Sequence, residues 1–285
     1  MNRLILGTVQ FGLKYGINNH LGQPDVNTVN EILNLAHQLG INTLDTAEAY
    51  GTAHEIIGNY HYNNKFEFKI NTKFSSVKKE NFIEQVKKTC ELLEVKKLNV
   101  CFYHSYAEYL HGTLEQGFET LVNLDLIDQV GVSVYTNEEL EVVINDPLVN
   151  VIQLPFNLFD NFYQRGDLIS KAKNKGKKIQ VRSIFLQGLF FVGPKSLKGN
   201  LAELEDDILF LNQIVNDFKI SMADLCLQYV LSFKEIDQII IGVETPSQLF
   251  SNSLSYKRNI SSEIINLINS VQIKNKSLLY PYNWK

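Results

Sequence analysis

Two side chains that could take part in proton transfer lie close together within residues 42–58, NTLDTAEAYGTAHEIIG. The segment begins with an apolar, β-branched run that ends at Asp45, passes through small residues to Tyr50, and resumes a helical pattern from Thr52. This order predicts a strand, a loop and a helix. In α/β proteins, ligands bind where loops leave the carboxyl ends of parallel strands. The alternative is structural, with Asp45 capping a turn and Tyr50 packing beneath it.

The next two predicted strands end near a lysine, Lys73, and a histidine, His104. A tyrosine, whose ordinary pKa is about 10, becomes a better acid beside a cation, and Lys73 is the candidate cation. Asp45 would keep that lysine charged, and His104 would orient a substrate oxygen. With Tyr50, these groups would stabilise an alkoxide that forms at a carbonyl oxygen. Taken singly, Lys73 is also explained as a surface lysine and His104 as a core histidine.

Short β-type runs alternate with helical patterns along the whole chain. The predicted strands cover residues 3–7, 41–45, 66–73, 98–104, 128–133, 149–154, 178–184 and 238–242. The predicted helices cover residues 26–39, 82–93, 112–124, 137–144, 162–175 and 222–231, and an extra helix at 201–218 lies in the longest connection. Eight strands with intervening helices predict an α/β fold of the (β/α)8 TIM-barrel class. The alternative, a doubly wound open sheet, is disfavoured because no GxGxxG loop follows a strand.

Composition points to one soluble globular domain over residues 1–285, since no Pro/Gly/Ser-rich linker divides the chain. A net charge of −4 gives no reason to expect nucleic-acid or membrane binding. The three cysteines show no CxxC spacing, which is typical of reduced thiols in a cytoplasmic protein. The start of an HExxH motif at His54 is broken by Gly58, so we expect no metal site.

Several motifs then follow one another in an order that resembles the aldo-keto reductase family over nearly the whole chain. The most specific is LDTAEAYG, at residues 44–51, which is similar to the family's Asp-Thr-Ala-x-x-Tyr-Gly signature. The lysine strand and the tyrosine-histidine strand come next, in the family's spacing. The other similar segments are LGTVQFG at residues 6–12, GVSVY at 131–135, VIQLPFN at 151–157 and IIIGVETPSQLFSN at 239–252.

This resemblance implies a (β/α)8 barrel that binds a nicotinamide cofactor without a Rossmann fold, here without the family's usual N-terminal β-hairpin. It implies Tyr50 as general acid, with Asp45, Lys73 and His104 completing a catalytic tetrad. Ser133 and Gln153 would hold the nicotinamide carboxamide. The implied cofactor-binding residues are Gly7, Thr8, Ser133, Gln153, Arg182, Ser183, Gly242, Gln248 and Asn252.

The chain departs from the family pattern at positions that concern the cofactor. Val134 stands where an asparagine is common, and Arg182 stands where an aromatic residue stacks on the nicotinamide. A guanidinium plane can also stack on a ring. Gly242 and Gln248 replace the lysine and arginine that bind the 2′-phosphate of NADPH. Losing two charge-assisted bonds, each worth about 1.5–3 kcal/mol, predicts NADPH binding with a weakened preference and possible use of NADH.

Aromatic residues in the nearby loops and tail predict the wall of a substrate pocket, although core packing explains each of them equally well. These candidates are Phe11, Phe74, Tyr106, Phe156 and Trp284. We expect a monomer or weak homo-oligomer that acts on a small-molecule carbonyl or sugar-derived substrate. Two rival functions remain open: a non-catalytic NAD(P)H-binding regulatory barrel, and a barrel isomerase or lyase that performs no net redox chemistry.

Overall fold

The computed structural model describes residues 3–75, 81–111 and 115–285, and it shows a closed barrel of parallel strands. The strands follow one another around the barrel in chain order and are β1 Leu4–Gly7, β2 Thr43–Asp45, β3 Lys69–Phe74, β4 Leu98–Tyr103, β5 Ile127–Ser133, β6 Val151–Pro155, β7 Lys178–Arg182 and β8 Gln238–Gly242. Strand β1 pairs with both β2 and β8, which closes the barrel. The predicted (β/α)8 fold is confirmed.

Helices surround the barrel and bury one apolar face against it. They are α1 Val9–Gly12, α2 Val26–Gln38, α3 Ala53–Asn63, α4 Phe82–Leu92, α5 Tyr106–Leu110, α6 Glu115–Asn123, α7 Asn137–Val143, α8 Phe162–Asn174, α9 Glu205–Phe218, α10 Met222–Leu231, α11 Pro246–Ser255 and α12 Ser262–Asn269. In α2, Asp25 accepts a hydrogen bond from the backbone N–H of Thr28 and so caps the amino end. Gly40, with a φ of 73°, follows the helix in a left-handed conformation. The start of the predicted helix at residues 112–124 lies outside the described residues.

Alternation along the strands divides the hydrophobic residues between two environments. Val100, Phe102 and Val151 form a small cluster of their own, whereas Cys101 and Tyr103 belong to the large core that includes the helices. Parallel neighbours in register, such as Lys73 on β3 and Phe102 on β4, project to the same side of the sheet. The barrel interior therefore has a short apolar layer, and polar side chains of β2 and β3 lie near the carboxyl ends of the strands.

The longest connection follows β7 and lies against the loop that follows α1. The backbone N–H of Ile17 donates to the carbonyl of Gln187 over 2.9 Å, and Gln187 Nε2 donates to Tyr15 Oη over 3.0 Å. Gln187 and Gly188 have positive φ angles of 52° and 87°. A Cβ at Gly188 would lie 2.8 Å from Asn18 Cβ, so glycine allows the two loops to approach.

The described helices include none with the length and apolar character required to cross a lipid bilayer. Across residues 3–75, 81–111 and 115–285, no group of three or more His, Cys, Asp or Glu side chains is arranged to hold a metal ion.

Candidate active site

A buried ion pair lies at the carboxyl ends of β2 and β3. Lys73 Nζ is 2.5 Å from Asp45 Oδ2 and also donates to the carbonyl oxygen of Thr46 over 3.1 Å. The side chains of Lys73 and Asp45 are 2% and 5% exposed. Because each charge would be costly to bury alone, the two side chains depend on each other.

The phenol of Tyr50 lies beside this pair, in the loop between β2 and α3. Its ring centroid is 5.4 Å from Lys73 Nζ and 6.4 Å from the His104 ring, which it meets edge-on at 83°. Close backbone packing fixes the loop: a Cβ at Gly12 would lie 1.7 Å from the Tyr50 carbonyl oxygen, and one at Gly51 would lie 2.4 Å from the Gly12 carbonyl oxygen. Gly51 also has a φ of 54°. These glycines allow the approach of the two loops that positions Tyr50.

The pKa of Tyr50 is raised above its ordinary value, which differs from the lowered pKa that we expected from the sequence. Burial is the largest cause and the negative charge of Asp45 the next, while the positive charge of Arg182 acts in the opposite direction. The charge of Lys73 is compensated by Asp45 at 2.5 Å, which explains why this lysine does not produce the expected decrease. At neutral pH the phenol therefore keeps its proton.

The other two titratable groups also favour their neutral forms relative to water. Burial lowers the pKa of Lys73, and the contact with Asp45 partly offsets that change. Burial lowers the pKa of His104 to about 4, with a further contribution from the positive charge of Lys73. The imidazole of His104 is thus neutral at pH 7, and one of its ring nitrogens can donate a hydrogen bond.

Asp45 is also held from the opposite side by a glutamine. Gln153 Nε2 donates to Asp45 Oδ1 over 2.8 Å and approaches Gln180 Oε1 at 3.3 Å. Gln180 Nε2 in turn donates to Gln238 Oε1 over 2.9 Å, so the three glutamines connect β6, β7 and β8. Gln153 is fully buried, and its Oε1 has no hydrogen-bond partner within the described part of the chain.

A cavity of about 780 Å³ opens at this end of the barrel. Its wall includes the four tetrad residues together with eight of the nine predicted cofactor-binding residues. Those eight are Gly7, Thr8, Ser133, Arg182, Ser183, Gly242, Gln248 and Asn252. Gln153 is not on the wall, and its amide is directed to Asp45 instead.

The structure does not place the five predicted substrate-pocket aromatics on the cavity wall. Phe11, Phe74 and Phe156 are completely buried in the hydrophobic core. Tyr106 packs against Tyr109 with ring centroids 5.8 Å apart. Trp284 Nε1 donates to the carbonyl of Leu278 over 2.8 Å, so its indole binds within the C-terminal segment. Here the core-packing alternative explains the aromatics better.

Other wall residues were not predicted from the sequence. The aromatic and amide groups among them are Gln10, Asn18, Asn19, Tyr135, Phe185, Gln187 and Phe191, and Glu244 is an additional carboxylate. Tyr15, an aromatic residue that the sequence also places in a nearby loop, lies on the wall as well. Gln10 and Glu244 could have been predicted, because they follow predicted strands that end at the cofactor-binding candidates Gly7 and Gly242. Tyr15 and Gln187 belong to long loops whose contact depends on the tertiary fold.

The wall fits the dinucleotide that the family resemblance implies. Gln10 Oε1 is buried without a hydrogen-bond partner in the described residues, so it can accept from a ligand. Gly7 and Gly242 are in register on β1 and β8 and expose backbone to the cavity. A Cβ at Gly242 would lie 2.5 Å from Gln10 Nε2, so glycine leaves room for that amide.

A closed (β/α)8 barrel with a Tyr, Lys, Asp and His cluster at the carboxyl ends of its strands defines a barrel enzyme rather than a Rossmann-fold dehydrogenase. The sequence profile of the aldo/keto reductase family matches residues 3–273, and the chain therefore belongs to this family. It is an oxidoreductase of the aldo-keto reductase kind, and members of the family generally use NAD(P)H and act on small-molecule carbonyl compounds.

Solved structures share the fold at low sequence identity. The aldo-keto reductase AKR11C1 from Bacillus halodurans, in its holo form, is 18% identical with a TM-score of 0.75, covering 95% of this chain and 92% of that one. The glycerol dehydrogenase AKR11B4 from Gluconobacter oxydans is 18% identical with a TM-score of 0.73, covering 95% and 91%. The aldo-keto reductase MGS-M4 from a Medee basin deep-sea metagenome is 17% identical with a TM-score of 0.70, covering 95% and 92%. Comparison with curated proteins gave no match.

Proposed function

We propose that this enzyme reduces the carbonyl group of an aldehyde, ketone or sugar to an alcohol at the expense of NAD(P)H, with Tyr50 as general acid. The observation that carries the proposal is the convergence of Tyr50, His104 and the Lys73–Asp45 pair on one cavity. The wall of that cavity also includes eight of the nine residues expected to bind the cofactor.

Tyr50 is suited to deliver a proton to the carbonyl oxygen. When bound, a reduced nicotinamide supplies the hydride for such a reduction. Because its pKa is raised by burial and by Asp45, the Tyr50 phenol is protonated at neutral pH. An alkoxide that forms beside the phenol is a much stronger base, so proton transfer from Tyr50 to the substrate is favourable. The reverse reaction would need the Tyr50 phenolate, which the same environment disfavours at neutral pH.

His104 and Lys73 would stabilise the charge that develops on the substrate oxygen. The neutral imidazole of His104 can donate a hydrogen bond without adding a charge to the cavity. Lys73 is fixed by Asp45 and by the Thr46 carbonyl, so its ammonium group is already oriented before the substrate arrives. Groups fixed in this way need little reorganisation when charge develops.

We further propose that NADH is used at least as well as NADPH, although the sequence pattern alone points first to NADPH. Glu244 places a carboxylate on the cavity wall. Gln248 accepts from the backbone N–H of Glu244 over 2.7 Å and approaches its carboxylate at 3.4 Å, so the amide is directed toward this glutamate. A carboxylate accepts hydrogen bonds from ribose hydroxyls and repels a 2′-phosphate.

The proposed function is tested by incubating the purified protein with NADH or NADPH and a panel of aldehydes, ketones and sugars, while the absorbance of the reduced nicotinamide is followed. We expect substrate-dependent loss of that absorbance. If the protein binds the cofactor tightly but no carbonyl compound causes the reduced nicotinamide to be oxidised, the result would instead support the regulatory barrel. Conversion of a substrate without any change in nicotinamide absorbance would support the isomerase or lyase.

A further inference from the structure

Arg182 is a cation on the cavity wall whose charge has no counter-ion in the described structure. It ends β7, and its guanidinium carbon lies 4.2 Å from the centroid of the Tyr135 ring. Its two hydrogen bonds, from Nη1 to Ser183 Oγ and from Nη2 to the Val134 carbonyl, are both 3.4 Å long. Such distances are weak for N–H donors, and a guanidinium carries five of them.

Three other buried cations of the described chain are held by short contacts: Lys73 and Arg165 by carboxylates, and Lys177 by the carbonyl oxygens of Asp146 and Val149 over 2.5 and 2.6 Å. Lys73 lies 2.5 Å from Asp45, and Arg165 contacts both carboxylate oxygens of Asp160 at 2.6 and 2.7 Å. Within the described residues, none of the ion pairs includes Arg182. A partly buried charge without a partner is costly and favours the binding of an opposite charge.

Neither carboxylate of the cavity wall neutralises Arg182. Asp45 is paired with Lys73 and also accepts from Gln153, and Glu244 forms no ion pair with Arg182 within the described residues. We therefore expect the neutralising anion for Arg182 in a bound molecule.

The Tyr135 side chain provides a fixed platform for this guanidinium. The Tyr135 backbone N–H donates to Glu139 over 2.5 Å, and its carbonyl accepts from Arg165 Nη2 over 2.5 Å. The Tyr135 ring also meets the rings of Tyr280 and Tyr282 edge-on, at 5.6 and 5.2 Å. Because Tyr135 is held from several sides, it supports one side of the Arg182 guanidinium, whose N–H donors make only the two long hydrogen bonds to Ser183 and Val134.

Arg182 lies at the catalytic end of the cavity. Tyr50 and His104 line the same cavity as Arg182, and the charge of Arg182 opposes the increase in the pKa of Tyr50. An anion bound by Arg182 would therefore share the cavity with the group that donates the proton.

We propose that Arg182 binds an anionic group, a carboxylate or a phosphate, that the carbonyl substrate itself carries. The inference rests on the proposed carbonyl reduction and assigns its substrate class. A planar guanidinium matches either oxyanion through two parallel N–H bonds. Stacking on a nicotinamide would use the face of Arg182, so it leaves these edge donors free.

The test compares matched substrates that differ in charge: pyruvate with methyl pyruvate, and glyceraldehyde 3-phosphate with glyceraldehyde. The measured quantity is kcat/KM for the charged member divided by kcat/KM for the uncharged member. For wild-type protein we expect a ratio of about 10 to 100 for at least one pair. Arg182→Tyr restores the aromatic residue of the family without the charge, so its ratio should fall to about 1.

Two further variants separate charge from shape. Arg182→Lys keeps the positive charge and loses the planar guanidinium, so its ratio should lie between those of wild-type protein and Arg182→Tyr. Lys171→Gln removes an equal charge at an exposed site outside the cavity and should leave the ratio unchanged. Circular dichroism and the unfolding midpoint confirm that each variant is folded.

Three results would overturn the inference. The first is a wild-type ratio of about 1 or less for both pairs, and the second is a ratio that Arg182→Tyr does not change. The third is that Arg182→Tyr and Arg182→Lys weaken the binding of NAD(P)H and change nothing else. The last result would assign Arg182 to the cofactor diphosphate. If no carbonyl is reduced, the proposed function fails, but calorimetry of oxalate and inorganic phosphate with the cofactor-free protein still tests the anion site. Weaker oxalate or phosphate binding by Arg182→Tyr than by wild-type protein would support it, and equal or absent binding would contradict it.

Discussion

The side-chain amide of Gln153 donates a hydrogen bond to Asp45 Oδ1 over 2.8 Å. The same carboxylate accepts from Lys73 through its other oxygen, so Asp45 is held between an amide and an ammonium group. The orientation of the Gln153 amide is fixed, because a reversed amide would place its oxygen against the carboxylate. In this structure Gln153 contacts the Lys73–Asp45 pair, whereas the family resemblance assigns it to the nicotinamide.

Gln153→Leu separates these two roles. If Gln153 positions Asp45, the variant should lose about tenfold in kcat while the dissociation constant of NAD(P)H changes little. Gln180→Leu removes the glutamine that is hydrogen-bonded to Gln153, and it should lower kcat by a smaller factor. The measurements are steady-state kinetics and cofactor titration by calorimetry. A tenfold weaker cofactor with unchanged kcat would show instead that Gln153 contacts the cofactor.

The Lys73–Asp45 pair should affect stability as well as activity. Lys73→Met leaves the Asp45 carboxylate buried without its counter-ion, which should lower the free energy of unfolding by about 3–5 kcal/mol. The double variant Lys73→Met/Asp45→Asn removes both charges and should recover much of that loss without recovering activity. Urea unfolding of wild type and the two variants measures these differences. Equal stability of the single and double variants would contradict the interpretation.

Two neutral histidines should make the protein less stable in acid. Burial lowers the pKa values of His54 and His104 to about 4, whereas histidine in an unfolded chain titrates near 6.5. Between pH 6.5 and about 4, the unfolded chain therefore binds protons that the folded protein does not. The free energy of unfolding should fall by up to about 1.4 kcal/mol per pH unit for each histidine as the pH decreases.

Urea unfolding at several pH values in this window provides the measurement, and His54→Gln provides the comparison. This variant should show a shallower dependence on pH, because one of the buried histidines is absent; His61, whose pKa is also lowered by burial, is retained. A free energy of unfolding that stays constant, or that rises as the solution is made more acidic, would count against neutral buried histidines.

Glu244 should determine part of the cofactor preference. Glu244→Gln removes the charge that opposes a 2′-phosphate, so NADPH binding should improve relative to NADH by about tenfold. Glu84→Gln, at an exposed site on α4, is the matched control and should leave the preference unchanged. Calorimetric titration with both cofactors gives the ratio. If wild-type protein already prefers NADPH a thousandfold, the proposed NADH use is wrong.

The positions of the catalytic groups could be predicted because they depend on local sequence. Asp45, Lys73 and His104 each stand at the end of a predicted strand, and the ends of parallel strands in a barrel necessarily meet. The order of the strands and the bounds of most helices followed from the same periodicity.

The prediction that loop aromatics line the substrate pocket did not take account of the direction in which each side chain points. Phe74 follows Lys73 on one strand, and neighbouring residues on a strand face opposite sides. Since Lys73 faces the barrel interior, Phe74 must face the helices, where it is completely buried. Phe156 lies three positions after the inward-facing Gln153 and is directed outward for the same reason.

Contacts between distant segments could not be obtained from the sequence at all. The stacking of Arg182 on Tyr135 joins the end of β7 to the loop after β5, and its geometry depends on how the tail tyrosines pack. The hydrogen bond between Gln153 and Asp45 joins residues that are 108 positions apart. Both depend on the closure of the barrel.

The role of Tyr50 as proton donor is the central claim, and Tyr50→Phe tests it most directly. The variant keeps the ring and removes the phenolic proton, so kcat/KM for carbonyl reduction should fall by about 10²–10⁴-fold. The dissociation constant of NAD(P)H, measured on the same preparation, should stay within about threefold of wild type. A Tyr50→Phe enzyme that reduces the same substrate at the wild-type rate would contradict the account.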